Sequence, residues 1–246
     1  MKLKNSIVLI TGGSSGIGFE LAKVLTNNGN KVIICGKSNE KLLAAKKMIP
    51  ELITYQCDLS DSQECTDFAK RIIENHPDLN ILINNAAIVN KIDFITEKKA
   101  IELAENEYQT NLIAPIRLIK LLYSTISTKE SSAIINITTG LIYAPRFIYP
   151  FYNSSKSALH SFTQTLRIRL KDENTKVIEV MFPAVDTTWH RGTPPKIAIS
   201  TDKAVSEMIN GLEKGKSEIR VGGAKILYLM SRLAPSFALK KVNEIQ

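Results

Sequence analysis

Short, uninterrupted apolar runs alternate along this chain with longer stretches whose apolar residues recur at helical spacing, from the first residues to about residue 222. The runs at 7–10 (IVLI), 31–35 (KVIIC), 52–56 (LITYQ), 79–83 (LNILI), 133–137 (AIINI), 177–182 (VIEVMF) and 218–221 (EIRV) predict strands. Continuous apolarity, rather than alternation, means that both faces of each strand are covered, as in a parallel sheet between layers of helices. Between the first two runs, Ile17, Leu21, Val24 and Leu25 make a helical stripe that stops at Asn28-Gly29. Similar helices are predicted after each later strand, the longest at 105–123 and 152–171. The pattern predicts an α/β fold: one doubly wound domain over 1–246, with a mostly or wholly parallel sheet of about seven strands flanked by helices. A segment without clear period at 183–200 and a helical tail at 224–246 complete it.

Composition narrows the function without changing this picture. Apolar residues at 44% and charged residues at 23% suffice for a sizeable core. The net charge of +8 is spread along the chain rather than gathered with aromatics, which argues for an anionic small ligand over nucleic acid. Cys35, Cys57 and Cys65 have neither metal-ligand nor CxxC spacing; they read as small core side chains in a reducing compartment, and no metal site is expected. The apolar stretch 7–10 is too short for a signal peptide, and 226–233 contains Arg232 and stops before Pro235, so no membrane span is predicted.

In an open α/β sheet the ligand binds at the carboxyl ends of the strands, which here carry Gly12, Lys37, Asp58, Asn84, Thr139 and Pro183. The first strand runs into TGGSSGIG (11–18), where Gly12, Ser14, Ser15, Gly16, Ile17 and Gly18 lead from strand to helix. Glycines there let the backbone approach a pyrophosphate, whose charge the helix amino terminus stabilises. The domain is therefore expected to be Rossmann-type. After the second strand, Gly36 and Lys37 stand where an acidic residue would select NAD, so Lys37, with Ser38 or Asn39, is the candidate site for a ribose phosphate, and NADP(H) the expected cofactor.

The segment NITTGLIYAPRFIYPFYNSSK (136–156) supplies the candidate chemistry. Tyr152 and Lys156 are four residues apart on one helix face, and a phenol needs a neighbouring cation to exchange protons near neutrality. Together with TGGSSGIG, NNAA (84–87), Asn111 within EYQTNLIAP and PAVDT (183–187), this segment resembles the short-chain dehydrogenase/reductase family across essentially the whole chain. Stretches such as APIRLIKLL and MSRLAPS are most similar to its bacterial DltE-like branch. The resemblance implies an oxidoreductase moving a hydride between NADP(H) and a carbonyl or secondary alcohol. It makes Tyr152 the general acid in reduction, Lys156 the group that lowers its pKa and binds the nicotinamide ribose, and Asn111 the holder of a relay water. Gly12, Ser14 and Ile17 would line the pyrophosphate, Asp58 meet the adenine, Asn84 and Ala86 lie under the adenosine ribose, and Val185 and Thr187 reach the carboxamide. Departures are Ala87 for the usual glycine of NNAG, Ala184 for the glycine of PG, and Thr139 where a serine normally holds the substrate carbonyl.

Phe147, Tyr149, Phe151 and Trp189, with Leu141 and Ile142, suggest an apolar substrate pocket and equally suit a core or a dimer interface. His160 reads as a packing or surface residue rather than a base. The loop 183–200 is expected to close over substrate, and the tail to pack on the domain or a twin subunit in preference to an anionic membrane surface. A cytoplasmic homodimer or homotetramer is the expected form. The competing reading is a cofactor-binding regulator with little or no turnover, which the exchange of serine for Thr139 keeps open.

Overall fold

The computed structural model describes residues 3–187, 189 and 192–244. Residues 188, 190 and 191 of the expected substrate loop, 245 and 246 of the tail, and the first two residues lie outside them. The chain builds β1 (Ile7–Thr11), α1 (Gly16–Asn27), β2 (Lys31–Gly36), α2 (Asn39–Met48), β3 (Ile53–Gln56), α3 (Ser62–Asn75) and β4 (Ile81–Asn84). There follow α4 (Ala100–Tyr108), a π-turn (Gln109–Ile113), α5 (Ala114–Ser127), β5 (Ala133–Thr139), a 3-10 turn (Gly140–Ile142) and α6 (Pro150–Arg169). The chain continues through β6 (Lys176–Phe182), α7 (Thr201–Glu213), β7 (Glu218–Arg220), α8 (Gly223–Leu233) and α9 (Pro235–Glu244).

Among the described residues, seven strands form one sheet in the order β3-β2-β1-β4-β5-β6-β7, every neighbouring pair parallel. The order reverses between β1 and β4, the point at which such sheets open a crevice. Side chains alternate between two cores. Val8, Ile10, Val32, Ile34 and Ile83 pack with Leu21 and Leu25 of α1 and Met208 of α7, whereas Leu9, Ile33, Leu82 and Ile134 pack with Phe68 and Ile72 of α3 and Leu118 and Leu122 of α5. Burial on both faces is the physical reason these strands carry no polar alternation.

The helix expected at 105–123 is one continuous path, but Gln109–Ile113 within it is wound as a π-turn. Pro235 separates α8 from α9 in the tail, because a proline cannot continue the helix before it. α9 packs back through Ala238 and Val242 onto Ala144. No described helix is long and apolar enough to cross a membrane. Cys35, Cys57 and Cys65 are buried free thiols, and no metal-binding cluster occurs among the described residues.

Candidate active site

The carboxyl rim of the sheet gathers candidate residues from motifs far apart in the chain. Gly12 adopts φ +64°, a conformation that favours glycine, and a Cβ there would stand 2.9 Å from Cα of Ala86. A Cβ on Gly18 would lie 2.3 Å from the carbonyl oxygen of Gly12, a main-chain atom that cannot swing aside. Thr187 stands over Gly16, its Cγ2 3.2 Å from where a Cβ would be. The glycine loop, the segment after β4 and the segment after β6 thus surround one backbone-lined cradle. Added methyl groups would meet these neighbouring segments, so the glycines are what let the main chain close up at this end of the sheet.

Two side chains outside the expected set hold this cradle. The hydroxyl of Thr11 accepts from the backbone N–H groups of Asn85 and Ala86, both at 3.0 Å. Nδ2 of Asn85 donates back to the carbonyls of Thr11 at 2.9 Å and Gly12 at 3.3 Å. Both lie inside motifs singled out from the sequence, Thr11 opening TGGSSGIG and Asn85 within NNAA, but the sequence alone assigns neither a role.

At the adenosine end, Nζ of Lys37 pairs with Oδ2 of Asp58 at 2.5 Å, so the expected phosphate ligand and the expected adenine contact meet each other. Burial pushes the Asp58 carboxyl upward, but hydrogen bonds from Lys37 and Ser60 outweigh it and hold the group below its usual range. The Ser38 hydroxyl caps α2 by accepting from Lys41 N at 3.3 Å, which leaves its own proton to donate. Ser14 faces Gly36, its Oγ 3.3 Å from a would-be Cβ. Asn84 is buried and turns sideways, its Nδ2 donating to Oδ1 of Asn136 at 2.9 Å.

At the other end of the crevice, α6 begins at Pro150, a residue suited to the first helical turn because it has no N–H to satisfy. Tyr152 is only partly buried, yet enough protein surrounds the phenol that burial pushes its pKa up to about 12. The Thr139 hydroxyl beside it stabilises the phenolate and draws the value back down. Thr139 Oγ1 accepts from Leu141 N at 3.2 Å, so its proton remains free to point outward. Thr138 is committed elsewhere: its hydroxyl donates to Oε1 of Glu179 at 2.6 Å on the other face of β5.

Lys156 is 2% exposed, and its ammonium donates to the carbonyl oxygen of Ile137 at 2.9 Å. Burial pulls its pKa down to about 8, against the raising effect of Glu179. Asn111, in the π-turn, spends its side chain on structure. Oδ1 accepts from Ile88 N at 2.9 Å, while Nδ2 donates to Ile88 O at 2.8 Å and to Ser155 Oγ at 3.3 Å.

Of the expected pocket residues, Tyr149 and Trp189 pack ring to ring at 5.7 Å, with Trp189 Nε1 donating to Val89 O at 3.3 Å. Phe151 meets Phe94, a residue not singled out from the sequence, at 6.0 Å. Phe147 is 71% exposed and faces outward. The loop 183–200 is pinned at both ends, where Val185 bridges Ile199. A separate surface cleft between Arg167, Lys171 and Lys216 lies at the amino end of β6 and contains no candidate residue.

A parallel sheet with a topological switch, a glycine cradle on one side of it and a tyrosine, lysine and threonine on the other defines a nicotinamide-dinucleotide oxidoreductase. The family description "short chain dehydrogenase" matches residues 6–197, and the chain belongs to that family. It is 40% identical over 224 residues, 89% of each chain, to the uncharacterized oxidoreductase DltE of Bacillus subtilis. Its fold superposes on a short chain dehydrogenase from Burkholderia cenocepacia, solved in complex with NADP, with TM-score 0.86 at 22% identity over 98% of this chain and 99% of the other. A short chain dehydrogenase/reductase from Burkholderia phymatum, solved in complex with NAD, gives TM-score 0.83 at 14% identity over 100% and 98%.

Proposed function

We propose that this oxidoreductase transfers a hydride between NADP(H) and a carbonyl or secondary alcohol of an apolar substrate, with Tyr152 as the proton donor in reduction. The observation that carries the reading is that Thr139 reaches Tyr152 at the carboxyl end of β5, with the buried Lys156 one helical turn further along α6 and held on the Ile137 carbonyl. A bound nicotinamide supplies or accepts the hydride. The protein's own groups handle the proton and the developing charge. Thr139 donates to the substrate oxygen, and Tyr152 delivers its proton to the same atom. Lys156, as a buried cation, favours the phenolate that remains and reaches the nicotinamide ribose. Because the Asn111 side chain is occupied, a relay water would be held by its main chain, where a π-turn shifts the hydrogen-bond register of the helix.

Preference for NADP(H) is supported by the absence of an acid at Gly36 and by the donors Lys37, Ser38 and Ser14 around it. Binding the phosphate would draw Lys37 from Asp58, freeing that carboxylate for the adenine amine. Gly12, Ser15, Gly16, Ile17 and Gly18 would cradle the pyrophosphate, Ala86 would flank the adenosine ribose, and Pro183, Val185 and Thr187 the nicotinamide. Asn84 would act from beneath, since its side chain is turned into the sheet. The Tyr149, Phe151 and Trp189 rings support an apolar substrate. A cytoplasmic homodimer or homotetramer is the form we infer, the reduced thiols supporting the compartment.

A regulator without turnover would need the cradle but not a hydroxyl aimed at a tyrosine beside a buried lysine. The deciding experiment incubates the protein with NADPH or NADH and a panel of ketones, aldehydes and quinones, following loss of reduced-nicotinamide absorbance. Turnover with NADPH is expected. Tight NADPH binding with no turnover on any carbonyl, or on the corresponding alcohols with NADP, would overturn the reading.

A further inference from the structure

The strand VIEVMF contains one charge, Glu179, and it is fully buried. A carboxylate in that position costs several kcal/mol unless it is paired and hydrogen-bonded. Its partners are specific. Thr138 donates to Oε1 at 2.6 Å, and His160 Nδ1 lies 2.9 Å from Oε1 and 2.8 Å from Oε2. An ionised carboxylate only accepts, so this ring nitrogen carries the proton.

These partners connect Glu179 to both reacting elements. Thr138 precedes Thr139, and His160 lies one helical turn beyond Lys156. Along α6, Tyr152, Lys156, His160, Thr163 and Arg167 fall on one stripe, and it meets a polar row in the sheet. In that row Asn84 is in register with Asn136, Asn136 with Glu179, and Glu179 with Glu218. Asn136 Nδ2 donates to Thr163 Oγ1 at 2.8 Å, and Arg167 Nη1 to Glu218 Oε1 at 3.1 Å.

We propose that Glu179 is a positioning residue for the Tyr152–Lys156 pair, its side chain fixed by His160 and Thr138 so that the carboxylate favours the cationic form of Lys156. The inference rests on the reading above for what Lys156 does in turnover. The ammonium's hydrogen-bond partner is the Ile137 carbonyl, a neutral group that cannot offset burial in full. Glu179 is the anion acting on it, and the other charged and titratable groups around Glu179 are accounted for. On α6 these are Lys156 and His160, and β5 offers only the neutral Thr138. On β7 Glu218 is paired by Arg167 and Arg220. After the 3-10 turn, the Tyr143 hydroxyl accepts from Arg220 Nε at 2.9 Å, with its ring 6.3 Å from that of His160.

The test titrates Lys156 itself. Protein labelled with carbon-13 at lysine Cε is followed by NMR without cofactor or substrate, and the Lys156 resonance is identified by its loss in Lys156→Met. In the unaltered protein the midpoint is expected near 8. Glu179→Gln still accepts from Thr138, and its amide can donate to His160 once the neutral ring takes its other tautomer, so it removes the charge and little else. Its Lys156 midpoint is expected to fall by about one pH unit, while Glu179→Asp stays with the unaltered protein. Glu179→Met, which removes charge and hydrogen bonds together, is made alongside, and either variant decides once thermal melting shows it folded. An unchanged Lys156 midpoint in a folded Gln or Met variant overturns the proposal. Because no turnover is needed, this result is independent of the carbonyl panel. On an active substrate, the alkaline limb of the pH profile of Glu179→Gln, where Lys156 loses its proton, is expected to move to lower pH by a similar amount, whereas a purely structural role would lower the rate without moving that limb.

Discussion

Around β1, β2 and β4 the rim of the sheet is made of main chain, brought close by glycines and tied by Thr11 and Asn85. Around β5 and β6 the structure turns instead on buried polar side chains, Asn136, Thr138 and Glu179 within the strands and Lys156 on α6. A binding site for a long polyanion needs approach and many N–H donors, which backbone supplies without desolvating a charge. A proton-transfer site needs groups whose charge matters, and those must be buried and paired. The first half should therefore fail through sterics and the second through charge, with the fold left intact.

The largest effect should come from the charge side. Tyr152→Phe is expected to lower kcat about a thousandfold or more while NADPH affinity, read by fluorescence titration, stays nearly unchanged. Lys156→Met should weaken both. Full activity in the Phe variant would remove Tyr152 from the mechanism. On the steric side, Gly18→Ala is expected to cost about 2–3 kcal/mol, lowering the melting temperature by roughly 5–10 °C, and to weaken cofactor binding, since the new methyl meets the Gly12 carbonyl.

Thr139→Ala should reduce kcat/KM about a hundredfold, with Thr139→Ser near normal. Thr138→Ala should act less, because that hydroxyl touches Glu179 and not the rim. A larger effect at Thr138 would reassign the pair. Smaller again, Lys37→Asp should reverse or abolish a preference for NADPH over NADH, worth about tenfold in Kd. Equal affinities in the unaltered protein would mean that Asp58 keeps Lys37 from any phosphate. The smallest effect is with pH. Lys156 is charged below a pKa of about 8 and neutral above it, so NADPH should bind more weakly as pH rises through that value.

The strands were legible because burial on both faces leaves an uninterrupted apolar run, and the cradle because glycines mark it. The π-turn was not, since the apolar period of 105–123 continues through Gln109–Ile113 and the widened register leaves no compositional trace. Tyr152, Lys156 and Thr139 could be found from spacing and resemblance together. Thr11 and Asn85 lie within the same motifs, but their tie to each other could not be read, as a threonine and an asparagine at strand ends are ordinary turn formers. Glu179 did leave a signal: a carboxylate inside a run buried on both faces must have a partner, and His160 in the facing helix was within reach. Reading His160 by itself, as a packing residue, missed that the two belong together.

The three cysteines have a practical bearing on handling and measurement. Cys35, Cys57 and Cys65 sit in the core against α3, and burial raises all three thiols above their ordinary range, Cys57 to about 12. Thiolates are the reactive form, so alkylating reagents and peroxide should leave the folded protein untouched. Labelling then requires the chain to open, and its rate under native conditions becomes a clock for that opening. A maleimide time course followed by mass spectrometry should show all three sites reacting together and only as the protein unfolds. Early reaction at Cys57 or Cys65 alone would reveal a local opening of the α3 layer, independent of the catalytic side of the sheet.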